Sequence, residues 1–147
     1  NPLVRKYDGF IDKYLTEGLM VLFYGTAEKA VNCIIDIVQL IKEFNLHRQE
    51  RSLPAIHVSS GIHYGRLLMG TIGETERMDT TVISDVVNIS SRMHGYATEK
   101  NVSIIISETV REQLPERYWR THTCFYHGKI QFHGKKHLTN IYEVDSL

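Results

Sequence analysis

In the stretch Met78 to Arg92, MDTTVISDVVNISSR, an amide and a guanidinium stand four residues apart, at Asn88 and Arg92. The stretch reads as a short strand running into a helix. Ser84 is the expected N-cap, because its hydroxyl can accept from a free N–H of the first turn. Asp85 follows in that first turn, where a negative charge suits the helix dipole. Val86, Ile89, Met93 and Tyr96 recur at helical spacing and form an apolar stripe. Asn88 and Arg92 then lie one above the other on a different face. Projecting together near a helix start, they make a grip for an anionic ligand. The same spacing also describes two solvated surface residues, and spacing alone leaves both readings open.

Other reactive side chains show no such pairing. His47, His57, His63, His94, His122, His127 and His137 lack ligand spacings such as HExxH or HxH, and read as structural or solvated. The loop Gly70 to Glu74, GTIGE, has two glycines without a P-loop pattern. Tyr118, Trp119 and Phe125 read as core and interface. Cys33 and Cys124 are far apart in apolar surroundings, which fits neither a disulfide framework nor a metal cluster but does fit a reducing cytoplasm.

The elements that must position these residues can be read in order. Asn1 to Tyr7 reads as the tail of a helix, and Asp8-Gly9 as a turn. Phe10 to Tyr14 and Leu19 to Phe23 are apolar runs around Leu15-Thr16-Glu17-Gly18, which predicts a hairpin. Thr26 is the expected N-cap of an amphipathic helix of about twenty residues, with Ala30, Val31, Ile34, Val38, Ile41 and Phe44 on its apolar face. Pro54 starts the next element. Ile56 to Ile62 and Arg66 to Thr71 read as strands, and Gly73 to Asp79 as a loop. After the helix from Ser84 to about Thr98 come a β-branched strand, Val102 to Ile106, and a short helix from Ser107 to Leu114, stopped before Pro115. Tyr118 to Val144 reads as two or three antiparallel strands with turns at His127-Gly128 and Gly134-Lys135. Helices interleaved with strands and terminal hairpins predict an α+β sheet covered by helices on one face.

The 147 residues suggest one domain. Hydrophobic residues at 42% and charged residues at 23% are an ordinary globular balance. A net charge of zero and a pI of about 7.3 give no indication of a basic face for nucleic acid. No run approaches the length of a membrane span, and there is no secretory signal. The opening at Asn1, without methionine, reads as a piece of something longer.

Residue identity narrows the reading. Thr81-Val82-Ile83-Ser84-Asp85-Val86-Val87-Asn88-Ile89-Ser90-Ser91-Arg92 resembles the core signature of class III nucleotidyl cyclases, T-V-I-G-D-x-V-N-x-A-S-R. Gly61 to Asp79 (GIHYGRLLMGTIGETERMD) and Phe10 to Phe23 (FIDKYLTEGLMVLF) are similar to that family too, in the same order. The resemblance, closest to bacterial members, covers nearly the whole chain. It implies a ferredoxin-like, polymerase-palm-like core with extra strands, mostly antiparallel. It also implies a single cyclase homology domain, residues 1–147, that lacks its first strand and helix.

The reaction implied is conversion of ATP to cyclic AMP and pyrophosphate in intracellular signalling, with two divalent ions, Mg²⁺ or Mn²⁺. Asn88 and Arg92 match the family's catalytic residues that contact the ribose and the α-phosphate. Lys13 and Thr81 match the base-selecting positions, and both lean to adenine. The metal-binding hairpin, K-x-I-G-D-x-x-M in the family, here reads Lys13 to Met20 with Thr16-Glu17 in place of Gly-Asp. Glu17 is therefore the implied metal ligand. The family's second metal-binding Asp lies on an upstream strand that this sequence does not contain. The terminal phosphates fall to Phe132-His133-Gly134-Lys135, where His133 replaces the family's first lysine and Lys135 remains. An imidazole with a pKa near 6.5 is mostly neutral at pH 7 unless phosphates raise it. Ser84 stands where most members have Gly. The implied partners are ATP and a second cyclase domain, in a head-to-tail homodimer or a heterodimer. The implied setting is the cytoplasm, free or as the cytoplasmic part of a membrane-bound protein. The substitutions at Thr16, Glu17 and His133 also fit a second reading, a degenerate cyclase homology domain that regulates or dimerises without turnover.

Overall fold

Ile104, Ile105 and Ile106 are all buried, two of them completely. Successive strand residues point to opposite faces, so this strand must be covered on both. The structure, a computed structural model, describes residues 2–15, 18–65, 80–131 and 138–146 and shows how that is done. In chain order its elements are helix α1 (Pro2–Lys6), strands β1 (Gly9–Leu15) and β2 (Gly18–Phe23), helix α2 (Ala27–Glu50), strand β3 (Ser60–Ile62), helix α3 (Thr80–Lys100), strand β4 (Ile104–Ser107), helix α4 (Glu108–Gln113), a 3₁₀ turn (Glu116–Arg120) and strands β5 (His122–Gln131) and β6 (Leu138–Ser146).

β1 and β2 form the expected antiparallel hairpin, with a bulge at Asp12. The other four strands form one sheet in the order β3-β4-β6-β5. β3 and β4 run parallel, and the remaining neighbours are antiparallel. The α+β class holds. Helices lie on both faces of β4, however, not on one. Ala27 and Val31 of α2, with Val110 of α4, pack with Ile104 and Ile106. Ile89, Met93 and Ala97 of α3 pack with Ile105 and with Ile141 of β6. A strand with three successive isoleucines and one bare face would leave roughly 1.5–3 kcal/mol of burial unrealised per exposed isoleucine.

α2 begins after Thr26 as expected, but the Thr26 hydroxyl makes no capping bond. Instead the Ala27 amide donates to the Gln113 side chain at 2.9 Å, so α4 supplies the cap.

α3 differs from expectation at its start. Thr81 to Ile83 are helical rather than extended, and Ser84 lies a turn inside the helix rather than at its N-cap. Once a helix is anchored, each added residue gains a hydrogen bond without a new nucleation cost. The family pattern has a glycine where this chain has Ser84, and a mid-helix glycine costs about 1 kcal/mol relative to alanine.

Smaller shifts follow the same logic of local against tertiary preference. The strand expected from Ile56 is regular only over Ser60–Ile62. His127-Gly128 is a bulge inside β5 rather than a turn. The φ of Gly128 is +100°, which a glycine adopts without strain. The expected strand 66–71, the loop 73–79 and the turn at 134–135 lie outside the described residues. No helix among the described residues is long and apolar enough to cross a membrane.

Candidate active site

α3 carries three of the expected site residues. Its periodicity puts backbone positions 81, 88 and 92 along one row, since they are separated by seven and four residues. The side chains of Asn88 and Arg92 are exposed, while Ile89, Met93 and Ala97 are buried. The apolar stripe and the polar row therefore separate as their spacing predicts.

Two contacts with β3 set the height of that row. A Cβ on Gly61 would stand 2.5 Å from the His94 amide nitrogen and 2.7 Å from the Ser90 carbonyl oxygen. The helix backbone thus rests directly on the strand, which only glycine permits. The Ser90 hydroxyl, midway between Asn88 and Arg92, donates to the Gly61 carbonyl at 2.8 Å.

The chain leaving β3 is clipped to the start of α4. His63 Nδ1 lies 2.9 Å from the hydroxyl of the fully buried Ser107. The Thr109 hydroxyl is 3.0 Å from the Ser107 hydroxyl and donates to the Tyr64 carbonyl at 3.2 Å. Burial pushes the pKa of His63 down to about 4, so it is neutral at pH 7 and offers no positive charge to a phosphate. Of the two readings left open by the sequence, structural or solvated, its burial and its contact with Ser107 select the structural one.

A third anchor joins α3 to the β5–β6 pair. The Tyr96 hydroxyl lies 2.7 Å from His127 Nδ1, and His127 Nε2 lies 2.9 Å from Glu143 Oε1. Sequence reasoning placed Tyr96 in the apolar stripe and His127 in a turn, and passed over Glu143. Tyr96 is four residues beyond Arg92, so its place below the row was legible. The pairing with His127 and Glu143 depends on the β5–β6 register and was not.

The remaining expected residues are more scattered. The backbone of Lys13 lies in β1, just after the Asp12 bulge and opposite Met20. Glu17, His133 and Lys135 lie outside the described residues. The segment with His133 and Lys135 connects Gln131 of β5 to Leu138 of β6, which are partners in the ladder. Among the described residues no three His, Cys, Asp or Glu side chains converge to hold a metal ion. The described donors thus do not by themselves build a site for two divalent ions.

Residues 12–144 match the family model of the adenylate and guanylate cyclase catalytic domain. The chain is 37% identical over 143 residues to an adenylate cyclase of Anabaena cylindrica, covering 92% of this chain and 28% of that protein. It is 26% identical over 122 residues to adenylate cyclase 1 of Rhizobium meliloti (strain 1021), covering 79% of this chain and 18% of that protein. The crystal structure of the guanylyl cyclase Cya2 has the same fold, with a TM-score of 0.72 at 24% identity over 99% of this chain and 74% of that one. A helix that presents Asn88 and Arg92 from a parallel β-α-β unit, with a hairpin before it and another after it, is the framework of a nucleotidyl cyclase. The chain belongs to the adenylate and guanylate cyclase catalytic-domain family. It spans less than a third of the length of either of these two relatives.

Proposed function

We propose that this domain converts ATP to cyclic AMP and pyrophosphate. The observation that carries the reading is the exposed Asn88–Arg92 row on α3, held in place by Gly61 and Ser90. In this reading the ribose 3′-hydroxyl attacks the α-phosphorus, loses its proton, and pyrophosphate leaves. The Arg92 guanidinium donates to oxygens of the α-phosphate, where charge builds in the transition state. The Asn88 amide orients the ribose. Lys13 donates to N1 of adenine, with Thr81 as the second selector. Guanine carries a donor at that edge and is disfavoured by a lysine. Lys135, with His133, receives the terminal phosphates.

Two divalent ions, Mg²⁺ or Mn²⁺, supply charge neutralisation on the phosphates in this family's chemistry. Glu17 is this chain's own oxygen donor for them, and a further carboxylate is required beside it. The site then lies between two cyclase domains, in a head-to-tail homodimer or a heterodimer. A second reading, a regulatory cyclase homology domain without turnover, is favoured by Thr16-Glu17 and His133, which depart from the family pattern.

The test is turnover of ATP and GTP by the full-length protein with Mn²⁺ and with Mg²⁺. ATP is expected to be the preferred substrate. Asn88→Ala and Arg92→Ala are each expected to lower kcat by about 10²–10³, the usual loss on removing a transition-state donor. If the wild type is silent while Thr16→Gly/Glu17→Asp turns over, the altered hairpin disables an intact scaffold. Silence from both selects the regulatory reading.

A further inference from the structure

Tyr96, His127 and Glu143 come from α3, β5 and β6 and meet in one line of hydrogen bonds. The Tyr96 and His127 rings stand edge-on, with centroids 5.5 Å apart and planes at 86°. His127 and Glu143 are only 20% and 29% exposed, so their contact is better shielded than a surface ion pair. One tautomer satisfies the whole line. With its proton on Nε2, the imidazole donates to the Glu143 carboxylate, and its free Nδ1 accepts the Tyr96 O–H. Glu143 thus selects the imidazole form that holds Tyr96. The β5 bulge is what aims the ring: His127 is the extra residue between the pairs Tyr126–Tyr142 and Gly128–Ile141.

Tyr96 lies one helical turn beyond Arg92 and two beyond Asn88, so whatever holds its hydroxyl holds the end of their row. β5 and β6 stand at the other end of the line. We propose that Tyr96, His127 and Glu143 form a positioning relay that ties the Asn88–Arg92 row to the β5–β6 pair, so that the row keeps a fixed place against the sheet. The proposal rests on the cyclase reading of Asn88 and Arg92. None of the three relay residues is assigned a contact with substrate.

The test uses the full-length protein with Tyr96→Phe, His127→Gln, His127→Ala, Glu143→Gln and the Tyr96→Phe/Glu143→Gln double variant. Two measurements are made: steady-state kinetics with ATP, and amide hydrogen exchange over residues 85–100 without nucleotide. Tyr96→Phe is expected to lower kcat about tenfold with KM within about twofold, the pattern of a small misalignment in the transition state. The double variant should lose about as much as either single one, because the residues act as one unit. His127→Gln, whose carboxamide can accept from Tyr96 and donate to Glu143, should retain more kcat than His127→Ala. Exchange across residues 88–96 should quicken in Tyr96→Phe. A kcat within about twofold of wild type in all variants, additive losses, or a loss confined to KM would overturn the relay. If the wild type cyclises neither ATP nor GTP, the cyclase reading falls and takes the catalytic half of this proposal with it. Exchange then decides the anchoring half, and unchanged exchange in Tyr96→Phe refutes it.

Discussion

His63 shows how its surroundings decide what a titratable side chain does. Its sequence neighbours, Ile62 and Tyr64, do not reveal that its ring is packed beside the buried Ser107 hydroxyl. There its pKa falls to about 4, against about 6.5 in the unfolded chain. Between those two values the unfolded chain binds a proton that the folded one refuses. Stability therefore falls as pH drops from 6.5 towards 4, by at most about 3 kcal/mol at the usual 1.4 kcal/mol per pKa unit. Urea unfolding midpoints at pH 7 and pH 4.5 would read this loss, and His63→Gln should shrink it. An equal loss in the variant would place the acid sensitivity in another group. Asn88 and Arg92 were legible because both their identities and their spacing are local. His63, Ser90 and Glu143 were not, because what makes them matter is a partner 16 to 44 residues away.

The contact between α3 and β3 governs where the Asn88–Arg92 row sits. Gly61 is not a turn glycine. It is a strand residue whose missing side chain admits the helix backbone. In Gly61→Ala the new methyl would collide with backbone atoms of Ser90, Met93 and His94, which no side-chain rotation can relieve. The expected cost is about 3 kcal/mol or more, the upper part of the overpacking range. That corresponds to a melting point lower by roughly 6–12 °C for a domain of this size. Calorimetry would measure it, and a melting point within about 2 °C of wild type would mean that α3 does not ride on β3 as described. Ser90→Ala removes one hydrogen bond without a clash and should cost only about 1 kcal/mol. The two helices, the first hairpin and the terminal strands were all readable from period and turn residues. The start of α3 was misread, because Ser84 suits an N-cap and a helix interior alike, and the anchored helix carried on through it.

The molecule as a whole is expected to complete its site with a second copy or a second cyclase domain. If two copies share two sites head to tail, Glu17→Ala and Asn88→Ala break opposite halves of each site. Each variant alone should keep no more than about a hundredth of wild-type activity. A one-to-one mixture should recover about a quarter of wild-type activity, since half the dimers are mixed and each mixed dimer keeps one intact site of two. A mixture no more active than its components would exclude sites shared between copies. The class of fold and the Asn88–Arg92 pair could be argued from the chain alone, because helical period, strand alternation and a contiguous motif are properties of neighbouring residues. Only the tertiary structure decided that both faces of β4 are covered, that Gly61 carries α3, and that Tyr96 is held by His127 and Glu143. Each of these depends on which distant segments come within a few ångströms, and that is set by packing and strand register, which no local pattern encodes.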